Sequence, residues 1–242
     1  MKKYFDRIYN KGIDSFYNEL KESLKNNKKS FIITANPETF MYGEKDETIN
    51  EIILDDKNVI VPDGIGIVKA CNMLGYNIKE RIPGIDIATK LLEYGNELHK
   101  TIYLFGAKKE VLDKLVEKIE KDYSNLKIVG YTDGYVTNKD QIMDNISKLS
   151  PDIVLVALGI PFQEKLIYNH LNKFKKGIFV GVGGSFDVLS GCKKRAPKIF
   201  IKTNTEWLYR ILKEPKRIKR FYNSNVKFLF RIKKIGKWGK KW

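Results

Sequence analysis

The chain has 242 residues and is 43% hydrophobic, which is enough for one large α/β domain or for one domain with an appendage. The two cysteines and two histidines are isolated in the sequence, which argues against a Cys/His metal site and against a Ser–His relay. No signal peptide is evident, and no apolar run reaches the ~18 residues of a membrane span. We therefore expect a cytosolic protein with reduced thiols.

The net charge of +16 is concentrated near the carboxyl terminus. Residues 193–242 hold 18 of the 45 Lys and Arg but only two acids, Glu206 and Glu214. The remaining 27 basic residues are matched by the remaining 27 acids, so residues 1–192 carry no net charge. This change in composition predicts a boundary. We call residues 1–192 the body and residues 193–242 the basic appendage.

Six short apolar runs, rich in β-branched residues, alternate with helical patterns along the body. The runs are 31–34, 59–61, 101–105, 127–130, 153–158 and 178–182. Apolar residues at helical spacing lie at 85–92 and at 112–119. Strands that alternate with helices predict an α/β fold with a mostly parallel sheet, and uniformly apolar strands indicate helices on both faces.

Glycine, proline and small polar residues follow the predicted strands. These segments are TANPE (34–38), PDGIG (62–66), GA (106–107), YTDGY (131–135), LGIPFQE (158–164) and GVGGSFD (181–187). In open α/β sheets, ligands bind where the strands end. Asp63, which directly follows a buried run, is therefore a candidate functional carboxylate. The alternative is that Asp63 only caps the helix that follows it.

Two of these segments resemble anion-binding loops. In GVGGSFD, glycines would let the backbone approach an anion at the start of a helix. The segment lacks both the G-x-G-x-x-G and the G-K-[ST] pattern, so a dinucleotide or P-loop site is disfavoured. In LGIPFQE, Gln163 would present its amide near the mouth of the site. Either loop can equally be an ordinary helix start.

Taken together, the motifs resemble the TagA/WecG/CpsF family of bacterial glycosyltransferases. The resemblance rests on TANPE, VPDGIGIV, ERIPGID, VALGIPFQE, GVGGSFDVLSG and EWLYRILKEPKR, in this order from about residue 30 to 221. It implies a Rossmann-like fold and a hexosyltransferase that inverts the anomeric centre without a metal or cofactor. The implied reaction moves N-acetylmannosamine, or a related sugar, from a UDP-sugar to undecaprenyl-diphosphate-linked GlcNAc. The product would enter wall teichoic acid or surface polysaccharide.

The resemblance also implies functional residues. Asp63 becomes the catalytic base, with Thr34 and Gln163 as further catalytic residues. The family's substrate-binding positions fall on Asn36, Arg81, Asp187, Arg210, Arg217 and Arg220. The glycine loops and strand ends add Gly106, Ala107, Tyr135, Gly159, Gly183, Gly184 and Ser185 as expected substrate contacts.

The chemistry of such a transfer agrees with these residue types. A sugar hydroxyl needs a base, and one carboxylate is sufficient for a single displacement. No D-x-D pair is present to hold a metal, so we expect arginines to stabilise the leaving diphosphate. Five of the seven arginines lie in the basic appendage, which we therefore expect to complete the site.

The end of the appendage predicts an amphipathic helix. Phe228, Ile232, Ile235, Trp238 and Trp242 form one apolar stripe among lysines. Such a helix is typical of the membrane interface, so we expect a peripheral protein at the cytoplasmic face of the bacterial cell membrane. The expected partners are a UDP-sugar, a lipid-diphosphate-linked saccharide and an anionic membrane surface, without nucleic acid. A homo-oligomer is compatible with the sequence.

Two other interpretations stay open from the sequence. One is a different nucleotide-sugar enzyme on the same scaffold, such as an epimerase, which would need a second acid or base facing Asp63. The other is a module without chemistry that binds RNA or anionic lipid through its basic and aromatic residues. Turnover of a UDP-sugar would exclude the second interpretation.

Overall fold

The computed structural model describes residues 1–238, with side chains up to residue 235, and contains one six-stranded sheet. The strands are β1 (Lys29–Ala35), β2 (Asn58–Pro62), β3 (Thr101–Gly106), β4 (Lys127–Thr132), β5 (Ile153–Ala157) and β6 (Gly177–Gly181). All pairs are parallel, in the order β2-β1-β6-β5-β3-β4. All six predicted strands are confirmed, with ends displaced by two residues at most. We call the edge where the strands end the carboxyl edge.

Helices connect the strands and form the basic appendage. They are α1 (Lys2–Phe5), α2 (Ile13–Lys25), α3 (Pro37–Gly43), α4 (Glu47–Leu54), α5 (Ile65–Met73), α6 (Gly84–Glu97), α7 (Lys109–Asp122), α8 (Lys139–Leu149), α9 (Phe162–His170), α10 (Ser185–Leu189), α11 (Lys198–Lys202), α12 (Glu206–Lys213), α13 (Arg217–Phe221) and α14 (Lys227–Trp238). The helices predicted at 85–92 and 112–119 are α6 and α7. Within residues 1–238, no helix combines the length and apolar character that crossing a bilayer requires.

The sheet separates two hydrophobic cores. Successive residues of a strand point to opposite faces, so Phe31 enters one core and Ile32 the other. Helices α1, α3, α4, α5, α8, α9 and α14 cover the first face, whereas α2, α6, α7 and α10 cover the second. This two-sided burial explains why the strands are apolar throughout and confirms the predicted α/β, Rossmann-like class.

The strand order predicts a crevice at the carboxyl edge. After β1 the chain moves outward to β2, whereas β6 reaches the other side of β1 from β5. Connections that diverge from neighbouring parallel strands leave a cleft outside their carboxyl ends, where ligands bind in open α/β sheets. The segments that follow β1, β2, β5 and β6 therefore share this part of the molecule.

The last helix of the basic appendage packs against the body. Phe228 and Ile232 are fully buried, and Ile235 packs against the same core. The Phe228 ring lies with its centroid 6.4 Å from that of Phe5 and 6.3 Å from that of Phe40. The expectation that these three stripe residues face a membrane is wrong, because α1 and α3 present an apolar surface that α14 covers.

Two further residues of the predicted stripe lie partly or wholly outside the described residues. Trp238 ends α14, but its side chain lies outside the described residues, as does the whole of Trp242. The helical character of the appendage is confirmed, whereas the boundary at residue 193 stays a prediction. The burial of Phe228 means that the body core includes a side chain of the appendage.

Candidate active site

Asp63 lies at the carboxyl edge, directly after β2. Its backbone N–H donates to the carbonyl of Ala35 at 2.9 Å and so extends the pairing with β1 by one bond. Its Oδ1 accepts the N–H of Gly84 at 3.2 Å. Gly64 precedes α5, and no side chain that the structure describes caps that helix, so the idea that Asp63 caps the following helix is wrong. The carboxylate instead lies at the first residue of α6.

The surroundings of Asp63 favour its neutral form. Burial raises the pKa of Asp63 to about 6, and the negative charge of Glu206 raises it further. The hydrogen bond from Gly84 and the positive charges of Arg210 and Arg81 act in the opposite direction and lower the pKa. The side chain nevertheless remains partly exposed. A carboxylate with such a pKa is largely ionised at neutral pH, yet it accepts a proton more readily than an ordinary Asp.

Thr34 and Asn36 come from the adjacent strand, β1. The hydroxyl of Thr34 is buried and donates to the carbonyl of Gly181 in β6 at 3.2 Å. A Cβ atom on Gly84 would lie 3.2 Å from the Thr34 methyl carbon, so Thr34 packs on the helix end that Asp63 contacts. The structure thus brings Thr34 and Asp63 to the same point of the edge.

The Asn36 side chain is partly exposed, and its two polar atoms have different environments. Its Oδ1 accepts the N–H groups of Glu38 at 2.9 Å and Thr39 at 3.1 Å, which caps α3. Its Nδ2 makes no hydrogen bond with any residue that the structure describes. A Cβ atom on Gly64 would lie 3.6 Å from the Cβ of Asn36, which places Asn36 beside the turn that carries Asp63.

Two arginines flank Asp63, one from the body and one from the appendage. Arg81 forms an ion pair with Glu206, the first residue of α12, and both side chains are largely buried. Arg210, about one turn further along α12, is exposed and makes no ion pair within residues 1–235. Its charge acts on the Asp63 carboxyl. Helix α12 of the basic appendage therefore borders the candidate site.

The other two predicted arginines of the appendage are engaged elsewhere. Arg217 pairs with Glu214 at 2.6 Å. Arg220 binds Glu38, in the first turn of α3, with Nε 3.1 Å from Oε1 and Nη2 2.9 Å from Oε2. Both guanidinium groups are substantially exposed. In this arrangement the structure places neither arginine against Asp63.

Gln163 connects the two glycine-rich loops. Its Oε1 accepts the N–H of Gly159 at 3.0 Å and that of Gly183 at 3.1 Å, while its Nε2 donates to Glu164 at 2.8 Å. The side chain is only 2% exposed. The sequence predicts that Gln163 presents its amide at the mouth of the site, and this expectation is wrong. The side chain instead holds the loops after β5 and β6 together. We call Gln163 and Glu164 the loop clamp.

Glu164 is a residue that the sequence analysis did not single out. It is 2% exposed, burial raises its pKa to about 7, and its Oε2 has no hydrogen-bond partner within the described residues. Its Oε1 faces the amide nitrogen of Gln163, which leaves the amide oxygen for the two glycine N–H groups. A carboxylate at the start of a helix gives no signal in the sequence that it is buried.

The loop after β6 offers fewer free donors than its glycines suggest. The N–H of Gly183 is occupied by Gln163, and that of Ser185 donates to the carbonyl of Val182 at 3.0 Å. Gly184 is exposed between them. Asp187, a predicted substrate-binding residue, has its carboxylate 3.4 Å from the Lys193 ammonium group. Gly184 is thus the best placed of these residues to meet a ligand through its backbone.

The remaining predicted contacts lie toward the other end of the carboxyl edge. Gly106 and Ala107 follow β3, and the Ala107 N–H donates to the carbonyl of Ala157 at 3.0 Å. Tyr135 follows β4 and is 72% exposed. Five strand intervals of about 4.8 Å separate β2 from β4, so Tyr135 lies roughly 24 Å along the sheet from Asp63. These residues share the edge with Asp63 but not its immediate surroundings.

A metal centre is not evident in the part of the chain that the structure describes. There, no three or more His, Cys, Asp or Glu side chains are arranged to hold an ion. The charged groups near Asp63 are Arg81, Arg210 and Glu206. This donor set suits a phosphate-bearing ligand through guanidinium groups.

Comparison with known proteins agrees with the motifs. The model of the glycosyl transferase WecG/TagA/CpsF family matches residues 6–241. The chain belongs to this family. It is 42% identical over 212 residues to N-acetylglucosaminyldiphosphoundecaprenol N-acetyl-beta-D-mannosaminyltransferase of Bacillus subtilis (strain 168), covering 87% of this chain and 82% of the relative. The resemblance inferred from the sequence motifs is confirmed.

Two further relatives carry the same name. The protein from Bacillus spizizenii is 39% identical over 209 residues, covering 86% of this chain and 81% of the relative. That from Staphylococcus aureus (strain MW2) is 37% identical over 205 residues, covering 84% and 80%. Each of the three matches covers more than four fifths of both chains.

Proposed function

We propose that this protein transfers N-acetylmannosamine, or a closely related sugar, from a UDP-sugar to GlcNAc carried on undecaprenyl diphosphate. The names of its relatives describe this acceptor and this transferred sugar. The observation that carries the proposal is Asp63, a partly exposed carboxylate at the carboxyl edge with a pKa of about 6 and two arginines nearby. Wall teichoic acid or another surface polysaccharide would receive the product.

In the proposed reaction Asp63 acts as the general base. The acceptor hydroxyl oxygen forms a bond to the anomeric carbon, and its proton passes to the Asp63 carboxylate. The bond between that carbon and the donor phosphate breaks, and the electron pair leaves with UDP. Because attack occurs on the face opposite the leaving group, the anomeric configuration inverts. Thr34 supports the helix end that orients Asp63.

Positive charge and backbone donors stabilise the leaving diphosphate in this proposal. Arg210 is exposed beside Asp63 and unpaired within the described residues, so its guanidinium is free to bind phosphate oxygens. The Asn36 amide nitrogen and the Gly184 backbone lie on neighbouring loops of the same edge. Arg217 and Arg220 would contribute only after exchanging their present carboxylate partners. No step requires a metal.

An epimerase is less well supported. It would need a second acid or base facing the substrate opposite Asp63. Glu164 has a raised pKa, but it is buried beneath the loops and hydrogen-bonded to Gln163. Glu206 is also buried, and it is paired with Arg81. Neither carboxyl group is placed to contact a sugar ring.

We propose that the outer surface of the basic appendage contacts the membrane. Exposed apolar side chains lie on α11 to α14 among lysines and arginines; they include Ile199, Leu208, Leu212, Ile218 and Phe230. Each surface-adjacent basic residue contributes about 1 kcal/mol of attraction to anionic lipid. This surface, rather than the buried stripe of α14, would hold the protein peripherally at the cytoplasmic face.

The test is to offer a panel of UDP-sugars with a short-chain lipid-diphosphate-GlcNAc acceptor and to measure UDP release. UDP-N-acetylmannosamine should be the preferred donor, NMR should show the inverted anomer, and turnover should persist in EDTA. Release of UDP from no donor would overturn the proposal, whereas restoration of activity by Mg²⁺ after EDTA would overturn metal independence. Leu212→Ser/Ile218→Ser should weaken binding to anionic vesicles without lowering turnover of the short-chain acceptor.

A further inference from the structure

Glu206 joins the basic appendage to the candidate active site. It begins α12, is 5% exposed, and its Oε2 pairs with Arg81. Its Oε1 lies 3.9 Å from Nε of Arg195, and neither atom has a hydrogen-bond partner within the described residues. Arg195 is in turn held by Asp86 of α6 at 2.6 Å. Glu206 is therefore a buried carboxylate between two guanidinium groups.

The segment that carries Arg81 runs beside Asp63. The N–H of Ile82 donates to the carbonyl of Pro62 at 2.7 Å, so the backbones next to Arg81 and Asp63 are hydrogen-bonded to each other. Arg81 therefore lies near two carboxylates, and its side chain is paired with Glu206. A guanidinium binds a carboxylate strongly, often through two parallel hydrogen bonds. Whether Arg81 pairs with Glu206 or with Asp63 therefore affects how readily the Asp63 carboxylate accepts a proton.

We propose that Glu206 is a positioning residue for the general base: by holding the Arg81 guanidinium, it keeps Asp63 from forming an ion pair with that arginine. This inference rests on the proposed function of Asp63. A carboxylate paired with arginine is stabilised in its charged form and is a weaker base. Glu206 therefore preserves the basicity of Asp63 from a position that does not contact substrate.

The charges around Asp63 fix the direction of the expected effect. Arg81 and Arg210 lower the pKa of Asp63, the N–H of Gly84 also lowers it, and burial and Glu206 raise it. Loss of the Glu206 charge removes one upward influence and frees Arg81 to approach Asp63. Both changes lower the pKa of Asp63, so the acid limb of the kcat/KM profile moves to lower pH.

The deciding experiment compares pH profiles of the full-length protein and Glu206→Gln with the short-chain acceptor. Glutamine keeps the size of the side chain and can still accept a hydrogen bond from Arg81. We expect the acid limb to shift down by about one pH unit and turnover on the plateau to fall. Glu51→Gln, an exposed acid of α4, serves as the matched control and should leave the limb in place.

A second variant separates positioning from a merely structural role. In Glu206→Gln/Arg81→Gln, Arg81 is no longer available to pair with Asp63 and Arg210 is unchanged, so the acid limb should return to the wild-type position or above it. The double variant also leaves no unpaired buried charge, which protects it from the misfolding that a single replacement can cause. The inference would be overturned if the acid limb of Glu206→Gln stayed at the wild-type pH. It would also be overturned if the acid limb of the double variant lay below the wild-type pH.

The same variants give an answer that does not depend on turnover. Titration of the Asp63 carboxyl by ¹³C NMR should show the lowered pKa in Glu206→Gln and its recovery in the double variant. If the wild-type protein released no UDP, the proposed function would fail, and the NMR titration would still test whether Glu206 controls the ionisation of Asp63. An unchanged titration in Glu206→Gln would reject the inference by itself.

Discussion

The two halves of the crevice use similar sequence signals in different ways. After β2, the PDGIG turn leaves the Asp63 carboxylate partly exposed among charged neighbours. After β5 and β6, the glycine loops turn their polar groups inward, because Gln163 occupies the N–H groups of Gly159 and Gly183. A glycine-rich segment at a carboxyl edge is therefore not by itself a ligand site. What matters is where its polar atoms find partners.

In the proposed reaction the Asp63 half carries the chemistry, whereas the loop clamp positions the loops after β5 and β6. The Asp63 half holds an ionisable group that substrate can reach, so its variants should affect the chemical step. The clamp holds a buried network, so its variants should affect the shape of the site and its stability. Four predictions test this division.

Asp63→Asn should cause the largest loss. Removal of a general base lowers kcat by about 10²–10⁴-fold. UDP affinity, measured by calorimetry, should remain near that of the wild type because the arginines are intact. Asp56→Asn replaces an exposed acid before β2 and should behave as wild type. Near-normal turnover of Asp63→Asn would remove Asp63 from the chemistry.

The loop clamp should show a mixed effect. In Gln163→Ala, two partly buried glycine N–H groups lose their acceptor, at a cost of at most about 1–3 kcal/mol each in the free energy of unfolding. Donor KM should rise more than kcat falls, because the loops lose their relative position. Glu164→Gln can still accept from the Gln163 amide and should retain most activity, whereas Glu164→Leu cannot. Equal kinetics of the two Glu164 variants would show that the carboxylate does not orient Gln163.

With the short-chain acceptor, Arg210→Ala should lower kcat/KM more than Arg220→Ala does. Loss of the Arg210 guanidinium, which has no ion-pair partner within residues 1–235, should lower kcat/KM by about tenfold or more, since charged hydrogen bonds contribute about 1.5–3 kcal/mol. Arg220 is already bonded to Glu38, so its removal should cost less. A larger defect in Arg220→Ala would show that the appendage rearranges during the reaction and would shift the arginine contacts toward α3.

The smallest expected effect is on the pH dependence of Tm, compared between Asp63→Asn and the wild type. Because the pKa of Asp63 is raised from 3.8 to about 6 on folding, the folded state binds the proton more tightly. The contribution of the Asp63 carboxyl to the free energy of unfolding is thus fully present below pH 3.8 and is lost as pH rises through about 6. Asp63→Asn should raise Tm relative to wild type at pH 7–8 but not at pH 4. A Tm difference that is independent of pH would contradict the raised pKa.

The pattern of the body strands was sufficient to predict them. Runs such as 153–158 are continuously apolar and end at glycine or proline, which only a strand buried on both faces explains over so short a length. Parallel strands end at one edge, so the sequence also predicts that Asp63, Thr34 and Gln163 lie at that edge, although the strand order that spaces them along it comes from the structure. The family motifs then identified the class of enzyme.

Tertiary structure decided what covers each surface. The apolar spacing of Phe228 and Ile232 is the same for a helix on a membrane and for a helix on a protein core, and only the packing against Phe5 shows which applies. The Arg81 partner of Glu206 likewise comes from a distant segment, since the two residues lie 125 positions apart. Local periodicity specifies which side of an element is apolar, but burial and ion pairing depend on contacts that form only when the chain folds.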